Sequence, residues 1–319
     1  MGSHFSISVI IPVKNRRFEI IRTLNSIARQ QTLPERIIIV DNNSTDSTLD
    51  AVNDWISTTD LEGTSISITS ELKPGASAAR NKGLAETDTK YVMFFDSDDE
   101  MRPDHIDRIA KRLTSDGSID LLFFDLALID EDGWTKTKSV TDTNFLRGHI
   151  FHSSLSTDRF ATTTELARKA GGWDESLPSW NDLEFGVRLL LNSTHTAKLY
   201  GEPRVVAHHS EISISTTPLS ESGPDKELSL SRIYDTLSSS GNQLALKWVQ
   251  ARRIMLAAQY AREGLKERGR ELFAQTMADV SLPDAFKLRL IYNTVRAFGR
   301  GGAALATFFF KEPSPKNKG

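Results

Sequence analysis

Tyr91-Val92-Met93-Phe94-Phe95-Asp96-Ser97-Asp98-Asp99 is an unbroken apolar run that ends in three acids. A run of this length without alternation predicts a strand at the centre of a sheet, covered on both faces. The acids then fall where the strand emerges. In open α/β sheets ligands bind beyond the carboxyl ends of the strands. Burying three unpaired carboxylates is costly. A divalent cation carrying a phosphorylated ligand would relieve that cost, because Mg²⁺ and Mn²⁺ take carboxylate and phosphate oxygens together. Without a ligand, the same residues read as a solvated acidic turn.

The flanking sequence supports such a sheet. Upstream, Phe5 to Ile11 alternates and is β-branched, predicting a strand stopped by Pro12. Arg17 to Gln31 places Ile20, Ile21, Leu24, Ile27 and Ala28 on one helical face. Arg36 to Val40 reads as a short buried strand ending in Asp41, and Ser44 to Trp55 as a helix with Ser44 at its N-cap. Ser65 to Ser70 is a predicted strand. Ala76 to Ala85 is a predicted helix, entered through Pro74-Gly75 and ending near Gly83. Downstream, Pro103 opens a helix to Leu113, and Ile119 to Ile129 returns as one strand. This alternation predicts a parallel, Rossmann-like sheet flanked by helices.

Further on, Trp134 to Thr164 is polar and predicts loops and a short helix over the sheet edge. Asp182 to Leu191 reads as a helix, and Ala197 to Tyr200 and Arg204 to His208 as short strands. Ser210 to Asp225 is rich in Ser, Thr, Pro and Gly, predicting a mobile loop that orders over a bound ligand. From Lys226 the pattern is helical, with Leu237, Leu244, Ala245, Trp248 and Ile254 as packing positions. The expected organisation is a domain over residues 1–215, with halves 1–130 and 131–215. A helical extension over 216–311 and a disordered tail over 312–319 follow.

Composition narrows the function. The 319 residues carry a formal net charge of -3, so no basic field calls for nucleic acid. There is no cysteine, which excludes disulfides, thiolate metal sites and cysteine nucleophiles and fits a reducing compartment. The first residues lack a basic segment followed by an apolar one, and no apolar run approaches the ~20 residues of a membrane span. A cytoplasmic location is expected. The C-terminal helices interleave basic and apolar residues, for instance Arg289, Leu290, Ile291 and Phe308-Phe309-Phe310. They read either as a peripheral contact with the inner membrane face or as internal or homodimer packing.

Several residues around the predicted strand ends can carry chemistry. Pro12-Val13-Lys14-Asn15 leaves the first strand at the ligand edge, where backbone groups can read a planar base. Asp41 can accept from a base N–H or a ribose hydroxyl, or cap the following helix. Arg80 and Asn81 follow a small-residue helix start and fall on a face that can meet the same edge, Arg80 pairing with Asp96 or Asp98 or contacting a nucleotide.

Taken with Gly171-Gly172-Trp173-Asp174-Glu175 and Asn181-Asp182-Leu183-Glu184-Phe185, these segments resemble the family 2 glycosyltransferases. The matching pieces are the strand-Pro-Val-x-Asn opening, Asp41-Asn-x-Ser-x-Asp46, Ala-Arg80-Asn81-x-Gly83 and the Asp-x-Asp motif at Asp96-Ser97-Asp98. The resemblance covers about residues 5 to 210 and implies a GT-A fold and an inverting, metal-dependent transfer. The donor would be a nucleotide-sugar, usually a UDP-sugar, and the acceptor a hydroxyl of a glycan or glycolipid. Pro12, Val13, Asn15 and Asp41 would hold the base, with Arg80 and Ser97 beside the nucleotide. Asp96 would sit near the ribose and the cation, Mn²⁺ or Mg²⁺, with Asp98 its direct ligand. Asp182 would be the general base. Trp180 and Asn181 would lie on the acceptor side; Trp173 reads equally as an acceptor platform or as core packing, and His149 as lining the acceptor pocket or lying in an ordinary loop.

One histidine would complete the metal site or contact the diphosphate. Neighbouring strand residues point to opposite sides, so at most one of His208 and His209 faces the site, with His208 preferred and neither also left open. Two departures from the family pattern stand out: Lys14 replaces a common aromatic, and Asn181 replaces a common acid. The rival readings are a non-catalytic glycan-binding or assembly protein on the same scaffold, and a nucleotidyltransferase. The latter would want a glycine-rich loop after the first strand, and residues 12–17 contain no glycine.

Overall fold

The computed structural model describes residues 3–129, 133, 135–141, 143–208, 217–278 and 280–311. The expected tail, His209, Trp134 and the first part of the expected mobile loop lie outside these residues.

In chain order the elements are β1 (Ser3–Val13), α1 (Glu19–Ala28), β2 (Thr32–Asp41), α2 (Thr48–Thr58), β3 (Ser65–Ser70), α3 (Ala76–Glu86), β4 (Tyr91–Phe94) and β5 (Glu100–Met101). Then come α4 (His105–Ser115), β6 (Leu121–Phe124), β7 (Leu126–Ile129), β8 (Thr135–Lys138), α5 (Phe145–His152) and a 3₁₀ turn at Thr157–Arg159. β9 (Phe160–Thr163), α6 (Thr164–Lys169), α7 (Asn181–Asn192), β10 (Thr196–Leu199) and β11 (Val205–His208) follow. The chain ends in α8 (Leu219–Ser240), α9 (Gln243–Arg262), α10 (Lys266–Met277), α11 (Leu282–Phe298) and α12 (Gly302–Phe309).

These elements form two compact units, one drawn from Met1–Phe145 and Ser154–Ser213, the other from Leu146–Ser153 and Ile214–Gly319. The first holds a seven-stranded sheet in the order β10-β6-β9-β4-β1-β2-β3. β3, β2, β1 and β4 run parallel, as do β6 and β10. β9 lies antiparallel between β4 and β6. The alternation of β4 divides the core. Tyr91, Met93 and Phe95 pack on one face with α1 and α4, whereas Val92 and Phe94 pack on the other with α3, α6 and α7. A smaller sheet has the order β5-β11-β7-β8.

The structure corrects four expectations. Ile119 to Ile129 is not one strand: the chain leaves the large sheet at Asp125 and enters the small one. The Asp125 carboxylate accepts from Val140 N–H and pairs with Lys198 at 3.2 Å, which fixes the break. The stretch predicted as loops up to Thr164 contains β8 and β9. Gly83 does not end its helix. A side chain there would meet Ile10 at 2.4 Å, so its lack of one lets α3 lie close on β1. The described end of the expected mobile loop is helical from Leu219, with Pro224 inside α8.

The second unit is helical. α9 is buried along much of its length through Trp248, Ile254, Leu256 and Tyr260, and packs against α8, α10, α11 and α12. α5 belongs to this unit: Arg252 of α9 donates to Phe151 O at 2.7 Å. Among the described residues no helix is long and apolar enough to cross a membrane.

Candidate active site

The site forms where β1, β2 and β4 end together. Val13 is in register with Asp41 and Ile10 with Phe94, and Asn42 N–H donates to Val13 O at 2.8 Å. Pro12 and Val13 are buried strand residues, so only their backbone faces the edge. Asn15 takes a left-handed conformation (φ 51°) and its side chain accepts from Thr45 N–H at 2.8 Å, tying the first loop to the second. The Asp41 carboxylate is buried and, among the described residues, accepts only long bonds from Ser44 N–H, 3.3 and 3.4 Å. Asn42, which the sequence did not single out, fixes the third loop. Its amide donates to Glu71 O and Lys73 O, both at 2.8 Å, and accepts from Gly75 N–H at 2.7 Å.

The acids after β4 divide into two pairs. Asp96 and Asp98 reach solvent, their side chains 35% and 25% exposed. Asp99 and Asp158 are 6% and 4% exposed. Asp96, Asp99 and Asp158 each offer an oxygen within 4.8 Å of the others. Asp158 lies on the 3₁₀ turn before β9 and accepts from Asp96 N–H at 2.6 Å. Burial and the neighbouring carboxylates push Asp158 well above the usual carboxylate range, and burial lifts Asp99 to about 7. The two carboxyls share a hydrogen bond, and the charge of Asp99 raises the proton affinity of Asp158; Asp99 also accepts from His208 N–H at 3.1 Å. Asp98 stands outside the three-acid cluster. Burial and Asp96 raise its pKa, while Arg16, 3.3 Å away, opposes the shift.

The described acids fit a hard cation. Oxygen donors converge at the strand ends, and burial with the neighbouring carboxylates raises the proton affinity of Asp98, Asp99 and Asp158. His208 turns its ring to Glu100, with Nε2 2.8 Å from that carboxylate. Ser97 is buried in the turn.

Arg80 links this cluster to the far side. It donates to Asp96 Oδ1 at 2.8 Å and stacks 4.5 Å over the Trp173 ring, its Nε having no partner among the described residues. Trp173 is 2% exposed and packs on Phe94 and Phe185, so it is a core residue and not an acceptor platform. His149 is also buried, on α5 in the helical unit, and its ring is no open acceptor surface. Asn81 grips the next segment, accepting from Trp173 N–H at 2.8 Å and donating to Trp173 O at 2.9 Å.

Trp180 turns the chain left-handed (φ 53°) into α7. Asp182 follows in its first turn and accepts from Leu183 N–H at 2.8 Å. Burial raises the Asp182 carboxyl; Arg80 pulls it down and Asp96 pushes it up, so both are electrostatic neighbours. Asn181 donates to Leu177 O at 3.3 Å. Glu184 turns away and forms a buried pair with Arg188, whose Nη1 donates to Gly172 O at 2.6 Å. Arg159, also missed, is buried beside Asp182; it donates to Lys138 O, and burial lowers its pKa to about 10.

This order of parts along the chain is that of a known family, described as Glycosyl transferase family 2, which matches residues 8–168. The chain belongs to glycosyl transferase family 2. Among curated family relatives, the amylovoran biosynthesis glycosyltransferase AmsB of Erwinia amylovora is 31% identical over 132 residues, 40% of this chain and 43% of that protein. The poly(ribitol-phosphate) beta-N-acetylglucosaminyltransferase TarS of Staphylococcus aureus is 26% identical over 220 residues, 65% of this chain and 37% of that protein. The chain thus spans less than half the length of these two.

In structure, residues 1–349 of TarS in complex with UDP-GlcNAc match with a TM-score of 0.71 at 20% identity, covering 92% of this chain and 88% of that one. The mannosyltransferase PcManGT of Pyrobaculum calidifontis, in complex with GDP-Man and Mn²⁺, matches with 0.56 at 17% identity, covering 96% and 88%. These likenesses establish the GT-A-like fold: a mostly parallel sheet flanked by helices, with a C-terminal helical region.

Proposed function

We propose that this family 2 chain transfers a sugar from a nucleotide-sugar, a UDP-sugar, to a hydroxyl of a glycan or glycolipid with inversion at the anomeric carbon. The observation that carries the reading is that Arg80, Asp96 and Asp182 act on one another at the ligand edge of the sheet. The relatives' complexes with UDP-GlcNAc and GDP-Man support a nucleotide-sugar donor.

In this reading the loops after β1 and β2, with Asp41, receive the base. Asp96 and Asp98 are the solvent-facing carboxylates that would hold Mn²⁺ or Mg²⁺, with His208 joining by exchanging Glu100 for the cation. Bound there, the cation would offset the charge of the leaving diphosphate. The buried Asp99–Asp158 pair stands behind as a support, fixing the Asp96 and His208 backbones. Arg80 steadies Asp96 and flanks the nucleotide. Asp182 takes the proton of the attacking hydroxyl; burial raises its proton affinity, which strengthens it as a base.

Calorimetry of UDP binding with Mn²⁺ and with EDTA, on the parent and on Asp98→Ala, tests the reading. The expected result is binding that needs the cation in the parent and is lost in the variant, with circular dichroism unchanged. UDP affinity equal in all four measurements would remove Asp98 as a ligand and the cation from the proposal. A released-nucleotide screen over several donors then identifies the sugar.

A further inference from the structure

The helical unit carries an unpartnered face with a definite chemical character. Of the nine large hydrophobic side chains exposed among the described residues, five lie on α11 and α12: Leu282, Phe286, Leu290, Phe298 and Phe308. Three of them are 73% exposed or more. Leu282, Phe286 and Leu290 recur every four residues and form a stripe about 80° wide on α11. The opposite side of the helix buries Leu288, Ile291 and Val295. Arg262 holds the last turn, donating to Arg296 O at 3.1 Å and Ala297 O at 3.3 Å, so the stripe is displayed by an anchored helix.

Charge decides what covers this face. Residues 282–311 contain five Lys and Arg and one acid, Asp284. That acid is turned inward, paired with Lys247 and Lys287, each at 2.9 Å. Arg289 and Arg296 border the stripe on one flank and are exposed, as are Arg300 and Lys311. A second copy docked face to face would set these cations against one another with no exposed acid of the segment to receive them. A surface that is apolar inside and anionic at its rim complements the face on both counts. We propose that α11 and α12 form a peripheral docking face for anionic phospholipid membranes. Leu282, Phe286 and Leu290 would enter the headgroup layer, and Arg289, Arg296 and Arg300 would meet lipid phosphates.

Co-sedimentation of the full chain with vesicles tests this, comparing phosphatidylcholine alone with vesicles carrying about a third phosphatidylglycerol. The expected result is recovery with the anionic vesicles, reduced by salt, and little with the neutral ones. Phe286→Ser with Leu290→Ser should weaken partition more than roughly tenfold. Arg289→Glu with Arg296→Glu should remove the anionic preference, by at least roughly 30-fold. All four side chains are exposed, so melting curves should match the parent, and either pair of substitutions tests the face alone. Equal recovery with both vesicle types, or none with either, overturns the proposal. So does a lipid-free dimer in sedimentation equilibrium that Phe286→Ser dissolves, which would give the face to a second copy.

Discussion

Arg80 donates to the Asp96 carboxylate across 2.8 Å while its guanidinium carbon lies 4.5 Å over the Trp173 ring. One side chain thus joins the acids after β4 to the hydrophobic layer under α7. A lysine keeps the charge but has neither the planar fork nor the stacking face. Arg80→Lys is expected to lower turnover by at least roughly tenfold. It should also change the intrinsic fluorescence, because a cation leaves the indole. Parental turnover with an unchanged emission spectrum would show that charge alone suffices.

In the proposed reading Asp182 acts on the acceptor and not on the diphosphate. Asp182→Asn keeps the size and much of the hydrogen bonding to Leu183 N–H. It is expected to reduce turnover by roughly 10²–10⁴-fold with UDP affinity near the parent's. Steady-state rates and calorimetry on one preparation separate the roles. If affinity falls together with rate, Asp182 is a structural residue of the helix start.

Gly172 turns at φ +67°, where a Cβ would come within 2.6 Å of Asn81 Oδ1. That oxygen cannot simply swing aside, because it holds Trp173 N–H. Gly172→Ala therefore meets backbone strain and disturbs a half-buried clamp, and should cost roughly 2–3 kcal/mol. Denaturant unfolding of the variant checks this. A loss well under 1 kcal/mol would mean that the 171–175 segment relaxes freely.

His105 is wholly buried against Phe124, its ring nitrogens unpartnered among the described residues. Burial holds its pKa at about 3 against an ordinary 6.5. Between those values the unfolded chain binds the proton and the folded chain does not. Stability should therefore fall as pH drops through this window, at up to about 1.4 kcal/mol per pH unit. His105→Phe should flatten that dependence, read as melting temperature against pH. An identical pH profile would mean that the ring is protonated in the folded protein.

The strands that carry the site were legible because their signal is local. Tyr91 to Phe95 is apolar throughout, and the β-branched runs before Pro12 and Asp41 are bounded by turn residues. Asp158 was not legible: it sits on a 3₁₀ turn, and only the fold brings it to Asp96, 62 positions earlier. β9 was missed for a related reason. Phe160-Ala161-Thr162-Thr163 is short and half polar, and its strand character comes from two neighbours that pair with it. Trp173 could be read from the sequence either way. An aromatic beside a catalytic segment looks like a sugar platform, but its ring is enclosed by Phe94, Phe185 and Arg80. His149 likewise carried a functional reading that burial on α5 removes.

The antiparallel seat of β9 has a consequence for how the chain acquires its shape. β3, β2, β1 and β4 can assemble once residue 94 has been made, since every pairing among them lies within that length. β6 is made next but has no place beside β4 until β9 arrives and fills the gap between them. On the ribosome the leading half of the sheet should stand as a stable platform whose β4 edge stays open through about 65 residues, from Phe94 to Phe160, until its wedge arrives. That edge, β4 and its acids, is the part of the nascent chain most in need of protection from other strands.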